Sequence, residues 1–404
     1  MSVISKSNDQ PSAGLRAPTD PRYLPKRLID ALAARRIPFE IYLPDGSIQT
    51  IGNDAPQFRV TLRNANAIKA VASLNEVRVG EAYIHGDIEF EGDLLRLFEL
   101  RELLADKAPL TFLWRFIEPL LFGQITTNRR AISSHYDVDA DFFLSFLDPK
   151  VPSYTQGVYV DDSETLEAAT IRKFEHCYEA LQLKPGDHIL DIGAGWGAWL
   201  EYASARGVKC TGLTISTASA DYLRQRSAAL GYDWTIEIAD ILAYEPGHKF
   251  DAIAIMGVIE HLPHYDRLVE KFRSLIKPGG RIFLDGSADV KKYDVSNFLV
   301  RYIYPGNHSY MVLHDFLRHL ANTPLRVLEL YNDRHSYYLT AREWARNLDR
   351  NSEFVIKKFG EDRFRAFRLY LWGTAYQFLS GGLDCYRMIM WHPPAKDVPS
   401  AATS

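Results

Sequence analysis

Cysteine is scarce: Cys177, Cys210 and Cys385 are the only three in 404 residues, widely separated and in no CxxC or metal-ligand spacing. That excludes a disulfide framework and structural zinc, and it fits a reducing, cytoplasmic setting. Charge of one sign is also lacking. The 47 Lys and Arg against 51 Asp and Glu leave a net −4, which gives no basis for a nucleic-acid partner. No apolar run is long enough to span a bilayer, so any membrane contact is expected to be local and peripheral. Residues 1–21 mix Ser, Asp, Gln and Pro around no apolar centre, so they read as a disordered lead and neither a signal peptide nor a span. The tail, 393–404, reads the same way, and no internal repeat is visible.

What is present is an ordinary globular composition, 47% hydrophobic and 24% charged, in a chain long enough for two domains. Residues 22–124 are expected to form a small N-terminal α+β domain. Apolar and polar residues alternate on both sides of Asp45-Gly46, a hairpin signature, and a further strand is expected over Phe58 to Asn64. Ala65 to Leu74 has helical character, and Gly80 to Leu100 reads as glycine-punctuated turns feeding a helix. The Leu-, Phe- and Trp-rich stretch Ala108 to Gln124 suits either a helix buried between domains or one lying on a bilayer. A polar linker, 125–134, leads into a second domain, 135–392.

That second domain alternates strand and helix patterns, as a Rossmann-like, doubly wound α/β sheet does. Strands are expected at His188 to Gly193, Cys210 to Ile215, Thr235 to Asp240, Phe250 to Gly257 and Arg281 to Gly286. The first runs straight into Gly193, Gly195 and Gly197 and then a helix, letting backbone approach a ligand closely. Asp191 just before the turn, with no GKS/T phosphate cradle, favours the DxGxGxG pattern of class I methyltransferases and hence S-adenosylmethionine. The glycines could otherwise serve strand–helix packing alone. Thr214 and Ser216 follow the second strand and Asp240 the third, at the strand ends where such sheets bind ligands; Asp240 either faces the adenine or caps the next helix. Glu260, after the fourth strand, either is a desolvated, poised carboxylate or complements a helix dipole. His261 is expected to pack or cap.

The stretches HYDVDADFFLSFLDPKVPSYTQGVY, LDIGAGWGAW, GLTIS, MGVIEHLPHYDRLVEKFRSLIKPGGRIFL and YIYPGN together resemble, in order, the cyclopropane fatty acid synthase family. GEAYIHGDIEFEGDLL also looks like the leading domain of its phospholipid-acting members. The resemblance implies methyl transfer from S-adenosylmethionine to a cis double bond in the unsaturated acyl chain of a membrane phospholipid, at the inner face of the membrane. It also implies a carbocation deprotonated by protein-held bicarbonate, in a site that excludes water. Tyr304, Tyr337 and Trp344 are candidates for stabilising the positive charge. By this resemblance Tyr154 and Thr155 match a cofactor-touching Tyr-Ser pair, Glu260 a bicarbonate-orienting glutamate and Tyr337 a late tyrosine.

Two positions depart from the family pattern. Gln156 stands where the family has Cys, and Asp285-Gly286-Ser287 where it has His-Thr-Ile, so two bicarbonate ligands are missing and Asp285 adds charge that would repel an anion. Either a carboxylate, Asp285 or Glu260, has become the base, or no ring closes and the product is a methyl- or methylene-branched chain. Phe364 to Leu379 suits an acyl-tunnel roof or an ordinary cover helix. A soluble small-molecule acceptor and a lapsed, lipid-binding relative are the rival readings, and a homodimer through the small domain is plausible.

Overall fold

The computed structural model describes residues 24–106, 140–304 and 308–394. The N-terminal lead, the apolar stretch 108–124, the linker, HYD at 135–137, the PGN of YIYPGN and all but the first residues of the tail lie outside them.

The N-terminal α+β unit opens with α1 (Lys26–Ala34), then β1 (Phe39–Tyr42) and β2 (Ile48–Ile51), an antiparallel hairpin turning at Gly46 with φ +84°. β3 (Phe58–Leu62) pairs parallel with β1, α2 (Ala65–Ala72) and α3 (Glu76–Ile84) follow, and β4 (Ile88–Gly92) closes the sheet in the order β2-β1-β3-β4. α4 (Leu94–Phe98) ends the unit. Here the expectation of turns from Gly80 onward is corrected. Gly80 lies inside α3, where a Cβ would stand 2.7 Å from the Phe298 ring, so the glycine permits close packing and β4 follows where no strand was read.

Beyond α5 (Ala140–Leu144) and α6 (Leu166–Ala180), strand and helix alternate: β5 (His188–Ile192), α7 (Ala198–Ser204), β6 (Lys209–Thr214), α8 (Thr217–Leu230), β7 (Thr235–Ile238), β8 (Phe250–Met256), α9 (Tyr265–Leu275) and β9 (Ile276–Ala288). The chain continues through α10 (Asn297–Tyr302), α11 (Leu313–Leu320), β10 (Arg326–Asn332), α12 (Arg334–Arg350), α13 (Ser352–Phe359), α14 (Glu361–Ser380) and β11 (Asp384–Trp391). The seven-stranded sheet runs β10-β11-β9-β8-β5-β6-β7, with β11 antiparallel to both neighbours. This is the doubly wound class I methyltransferase order. All five expected strands are present; β10 and β11 were not anticipated.

Alternation along the strands fills a core on each face. Ile253, Ile255, Ile282 and Leu284 join one cluster, while Ala252, Ala254 and Phe283 join another. The order places β5 between β6 and β8, so the chain leaves β5 toward one side and returns on the other. A crevice opens there at the carboxyl ends.

α14 joins the two units. Its Arg365 donates to the Tyr83 carbonyl (3.1 Å) and to both oxygens of Glu89 on β4 (3.0 and 2.5 Å), and Arg368 donates to the Tyr83 hydroxyl (2.9 Å). Removing a largely buried cation strands its carboxylate, although Arg63, 3.1 Å from Glu89, supplies partial relief. Arg365→Ala is expected to cost about 3 kcal/mol in chemical denaturation, with the junction becoming protease-sensitive; a loss below about 1 kcal/mol, the range of a surface pair, would show that this bridge does not hold the units together.

Candidate active site

Three adjoining cavities lie at the carboxyl edge of the sheet and under the small domain. The first, about 150 Å³, is lined by Tyr154, Thr155, Asp191, Gly193, Gly195, Gly197, Thr214, Ser216 and Asp240, so all nine residues expected to touch the cofactor meet on one surface. Local geometry explains the glycines. Gly193, Gly195 and Gly197 all have positive φ (+75°, +53° and +82°), and a Cβ on Gly193 would come within 2.3 Å of Val258. Ser216 caps α8 by accepting from Ser219 N (3.1 Å), and Asp240 accepts from Leu242 N (2.8 Å), so capping and lining coexist.

Asp191 is fully buried, and desolvation raises its pKa to about 7, with the Lys173 ammonium pulling the other way. A ligand that brings hydroxyl or cationic groups into this cleft would relieve that burial. The residues therefore fit S-adenosylmethionine: close-approach glycines at a strand-to-helix turn, carboxylates for the polar groups of a nucleoside, and apolar walls at Leu213 and Ile241.

A smaller cavity of about 40 Å³ adjoins it, sharing Tyr154, Gly257 and His261, and its further lining includes Glu260, Ser287, Tyr304, His308 and Tyr337. Glu260 sits on the short 3-10 turn Ile259–His261 after β8. One of its oxygens accepts from Ser287 N (2.7 Å), whereas Oε2 has no hydrogen-bond partner among the described residues. Burial lifts its pKa to about 7, with Asp285 adding repulsion. Desolvation alone lowers His261 to about 4, so its imidazole is neutral at physiological pH. It lines both cavities, a more central place than packing or capping required.

Aromatic rings surround the carboxylate. The hydroxyls of Tyr154, Tyr304 and Tyr370 form a triangle of 3.3, 3.2 and 2.7 Å, and Tyr337 stacks on Phe378 at 4.3 Å. Trp344 does not line the cavity; it backs Tyr154 (5.1 Å) and Tyr337 (6.0 Å).

Gln156 and Asp285 line neither cavity. Both are fully buried below Thr155, whose Oγ1 lies 2.8 Å from Gln156 Oε1 and from Asp285 Oδ1. Asp285 Oδ2 is 3.6 Å from the Nζ of Lys173, a lysine with no exposed surface that sequence reasoning missed. Its signal was available: Ala169, Lys173 and Cys177 fall at four-residue spacing on the buried stripe of α6. Lys173 answers the charge of Asp285, and neither oxygen of Asp285 is presented to the acceptor cavity. No Lys or Arg is among the described lining residues of that cavity, so its polar lining is Glu260, Ser287, Thr374, His261, His308 and tyrosine hydroxyls.

Residues 124–388 match the profile of the mycolic acid cyclopropane synthetase family. The chain belongs to that family. It is an S-adenosylmethionine-dependent methyltransferase. Residues 28–106 match a second profile, described only as a domain of unknown function. A probable fatty acid methyltransferase of Pseudomonas putida is 26% identical over 391 residues, covering 91% of this chain and 95% of that protein. A sphingolipid C9-methyltransferase of Candida albicans is 28% identical, covering 76% of this chain and 64% of that longer protein. Among solved structures, a cyclopropane synthase of Mycobacterium tuberculosis (TM-score 0.61, 24% identity, 65% of this chain and 98% of that one) shares the fold. So does a coclaurine N-methyltransferase (TM-score 0.63, 18% identity, 78% and 99%).

Two outcomes follow for this cyclopropane synthetase relative. Gly193→Ala is expected to weaken S-adenosylhomocysteine binding at least about tenfold by calorimetry, since strain and the Val258 clash act together. Gly231→Ala, at φ +71° with nothing within 4 Å, controls for backbone strain alone; equal affinities in all three proteins would remove the close-approach argument. Folded Glu260 keeps its proton to a higher pH than the unfolded chain does, so from about 4.5 to about 7 the native state binds more protons and stability falls as pH rises. Glu260→Gln is therefore expected to gain about 2–3 kcal/mol relative to wild type between pH 5 and pH 8, and a pH-independent difference in denaturation would contradict the raised pKa.

Proposed function

We propose that this chain methylates an alkene carbon in the unsaturated acyl chain of a membrane phospholipid, with Glu260 accepting the proton that the product must lose. The observation that carries the reading is a buried carboxylate with an unpartnered oxygen, set among tyrosine rings in a cavity that adjoins the cofactor cleft. The fatty acid and sphingolipid methyltransferases among its relatives support a lipid acceptor.

When bound, S-adenosylmethionine supplies an electrophilic methyl group on a sulfonium. The residues lining the acceptor cavity do the rest. Apolar and aromatic walls hold the alkene against the cleft and exclude the water that would capture a cation. The alkene's π pair forms the new carbon–carbon bond as the methyl's bond to sulfur breaks, leaving the pair on sulfur and a positive charge on the neighbouring chain carbon. The faces of Tyr304 and Tyr337 oppose that charge. Glu260 Oε2 then takes a proton. If the proton leaves the new methyl, the freed pair closes a cyclopropane; if it leaves a chain carbon beside the cation, that pair forms a methyl-branched alkene; and if a hydride first shifts so that the charge moves to the methyl-bearing carbon, loss of a methyl proton gives a methylene branch. A carboxylate with a pKa near 7 suits this step, being half ionised at neutral pH.

Thr155, Gln156, Asp285 and Lys173 are assigned to positioning, since they anchor the Tyr154-Thr155 segment beneath the cleft. Phospholipid acyl chains are presented at the membrane surface, so the substrate is met there; among the described residues no helix is long and apolar enough to cross a bilayer.

The test is mass spectrometry of fatty acids from a host expressing the chain and fed methyl-labelled methionine. A labelled CH₂ gain in wild type, reduced about 10²–10⁴-fold in Glu260→Gln, is the expected outcome, with kcat/KM in vesicles rising with pH through an inflection near 7. Fragmentation then separates ring from branch. No labelled lipid would overturn the acyl reading, and full activity in Glu260→Gln would remove Glu260 as the base.

A further inference from the structure

The third cavity, about 190 Å³, lies between the small N-terminal unit and the methyltransferase unit and plays no part in the chemistry above. We propose that it receives the methyl-terminal segment of the acyl chain, so that the small domain acts as a ruler that sets which carbons reach the cofactor. This rests on the acyl reading of the acceptor.

Position is the first argument. The cavity shares Tyr310, Tyr370, Thr374 and Leu383 with the acceptor cavity, so a wall one side chain thick separates the two. The acceptor cavity in turn shares three residues with the cofactor cleft. The order is therefore cofactor, acceptor, then apolar chamber, and a linear alkyl chain whose double bond sits in the middle compartment has one end that must go somewhere.

Chemistry is the second. Both units contribute apolar walls, Leu28, Val60 and Leu97 from one and Phe298, Leu299 and Leu369 from the other. Three of the polar lining residues satisfy one another: Glu76 accepts from Arg101 (3.2 Å) and from Ser296 (3.0 Å). The remaining polar lining is the uncharged Tyr310, Tyr370, Thr374 and Gln377. Water is a poor occupant, since each ordered molecule needs two to four polar partners, and the space far exceeds the roughly 10–15 Å³ that one requires. Protein interiors are otherwise close-packed, so a void of this size forfeits contacts that an alkyl segment would restore.

Direction is the third. A phospholipid headgroup would lose its hydration in such a chamber, whereas the methyl end loses nothing. The chain thus enters tail first, and the depth of the chamber limits how many carbons lie beyond the alkene. It also gives the small domain, whose profile carries no assigned role, half of a substrate pocket.

The experiment uses the purified full-length chain, labelled cofactor and phosphatidylglycerol vesicles whose cis-monounsaturated chains differ in the number of carbons beyond the double bond. Leu28→Phe and Leu299→Phe fill the chamber and touch neither of the other cavities. Turnover of chains with long terminal segments is expected to fall at least about tenfold, with short ones changed less than about twofold; equal effects on both lengths, or none, would overturn the ruler. A phospholipid bearing an alkyl diazirine at the methyl end gives a readout independent of turnover and of how well the variants fold. Crosslinks on wild-type residues that line the chamber, such as Leu28, Val60 and Leu97 or Phe298, Leu299 and Leu369, support it, and crosslinks confined to residues outside that lining refute it. Should wild type methylate no lipid, the acyl reading of the active site fails, while the crosslink map still decides where an alkyl tail binds.

Discussion

The cost of burying charge organises this molecule. Lys173, Asp285 and Asp191 meet at the carboxyl ends of β5 and β9 with almost no contact with water, and the one ammonium lowers the pKa of both carboxylates against a desolvation that raises them. An ion pair at 3.6 Å in such surroundings gains less than two separate hydrated charges lose unless further hydrogen bonds complete it. Thr155 supplies one, and the Gly257 amide donates to the Asp285 backbone (3.1 Å), tying the end of β9 to the loop after β8. The segment carrying Tyr154 is thereby clamped between the two units of chemistry, cofactor on one side and acceptor on the other.

That clamp lets neighbouring carboxylates do different things. Asp285 is committed to a cation and a hydroxyl, Asp191 faces the cofactor cleft, and Glu260 keeps one oxygen unbonded in the acceptor cavity. Their separation is set by the sheet: β5, β8 and β9 are adjacent, so residues following each strand's end converge within one crevice. Environment, more than residue type, assigns the roles.

Much of this was legible in the sequence because it lies on strands and turns with strong local signatures. The buried apolar runs of β5 to β9 announce a parallel sheet, and the glycines after β5 require positive φ for reasons visible in the chain itself. β10, RVLELYN, was not legible, since an edge strand with both faces largely exposed lacks the apolar alternation that marks a half-buried one. Gly80 misled because glycine in a helix looks like a turn until its packing partner, Phe298, some two hundred residues away, is known. Tyr370 and Tyr310 were missed for the same reason. Nothing local distinguishes Tyr370 from other aromatic residues on α14, and only the tertiary fold brings its hydroxyl to Tyr154 and Tyr304.

The two departures from the family pattern, Gln156 and Asp285, looked independent in sequence, and they are one change. Both reach the same atom, Thr155 Oγ1, each at 2.8 Å. A hydroxyl has a single hydrogen, so Thr155 Oγ1 donates to Gln156 Oε1 or to Asp285 Oδ1 at any moment, and the two acceptors share one donor. Replacing either alone would leave a buried polar group without its partner, which costs more than the bond itself contributes. An imidazole in place of Asp285 would set a second base beside Lys173. The pair is thus coupled through Thr155 to the buried lysine, outside the acceptor cavity that Glu260 lines.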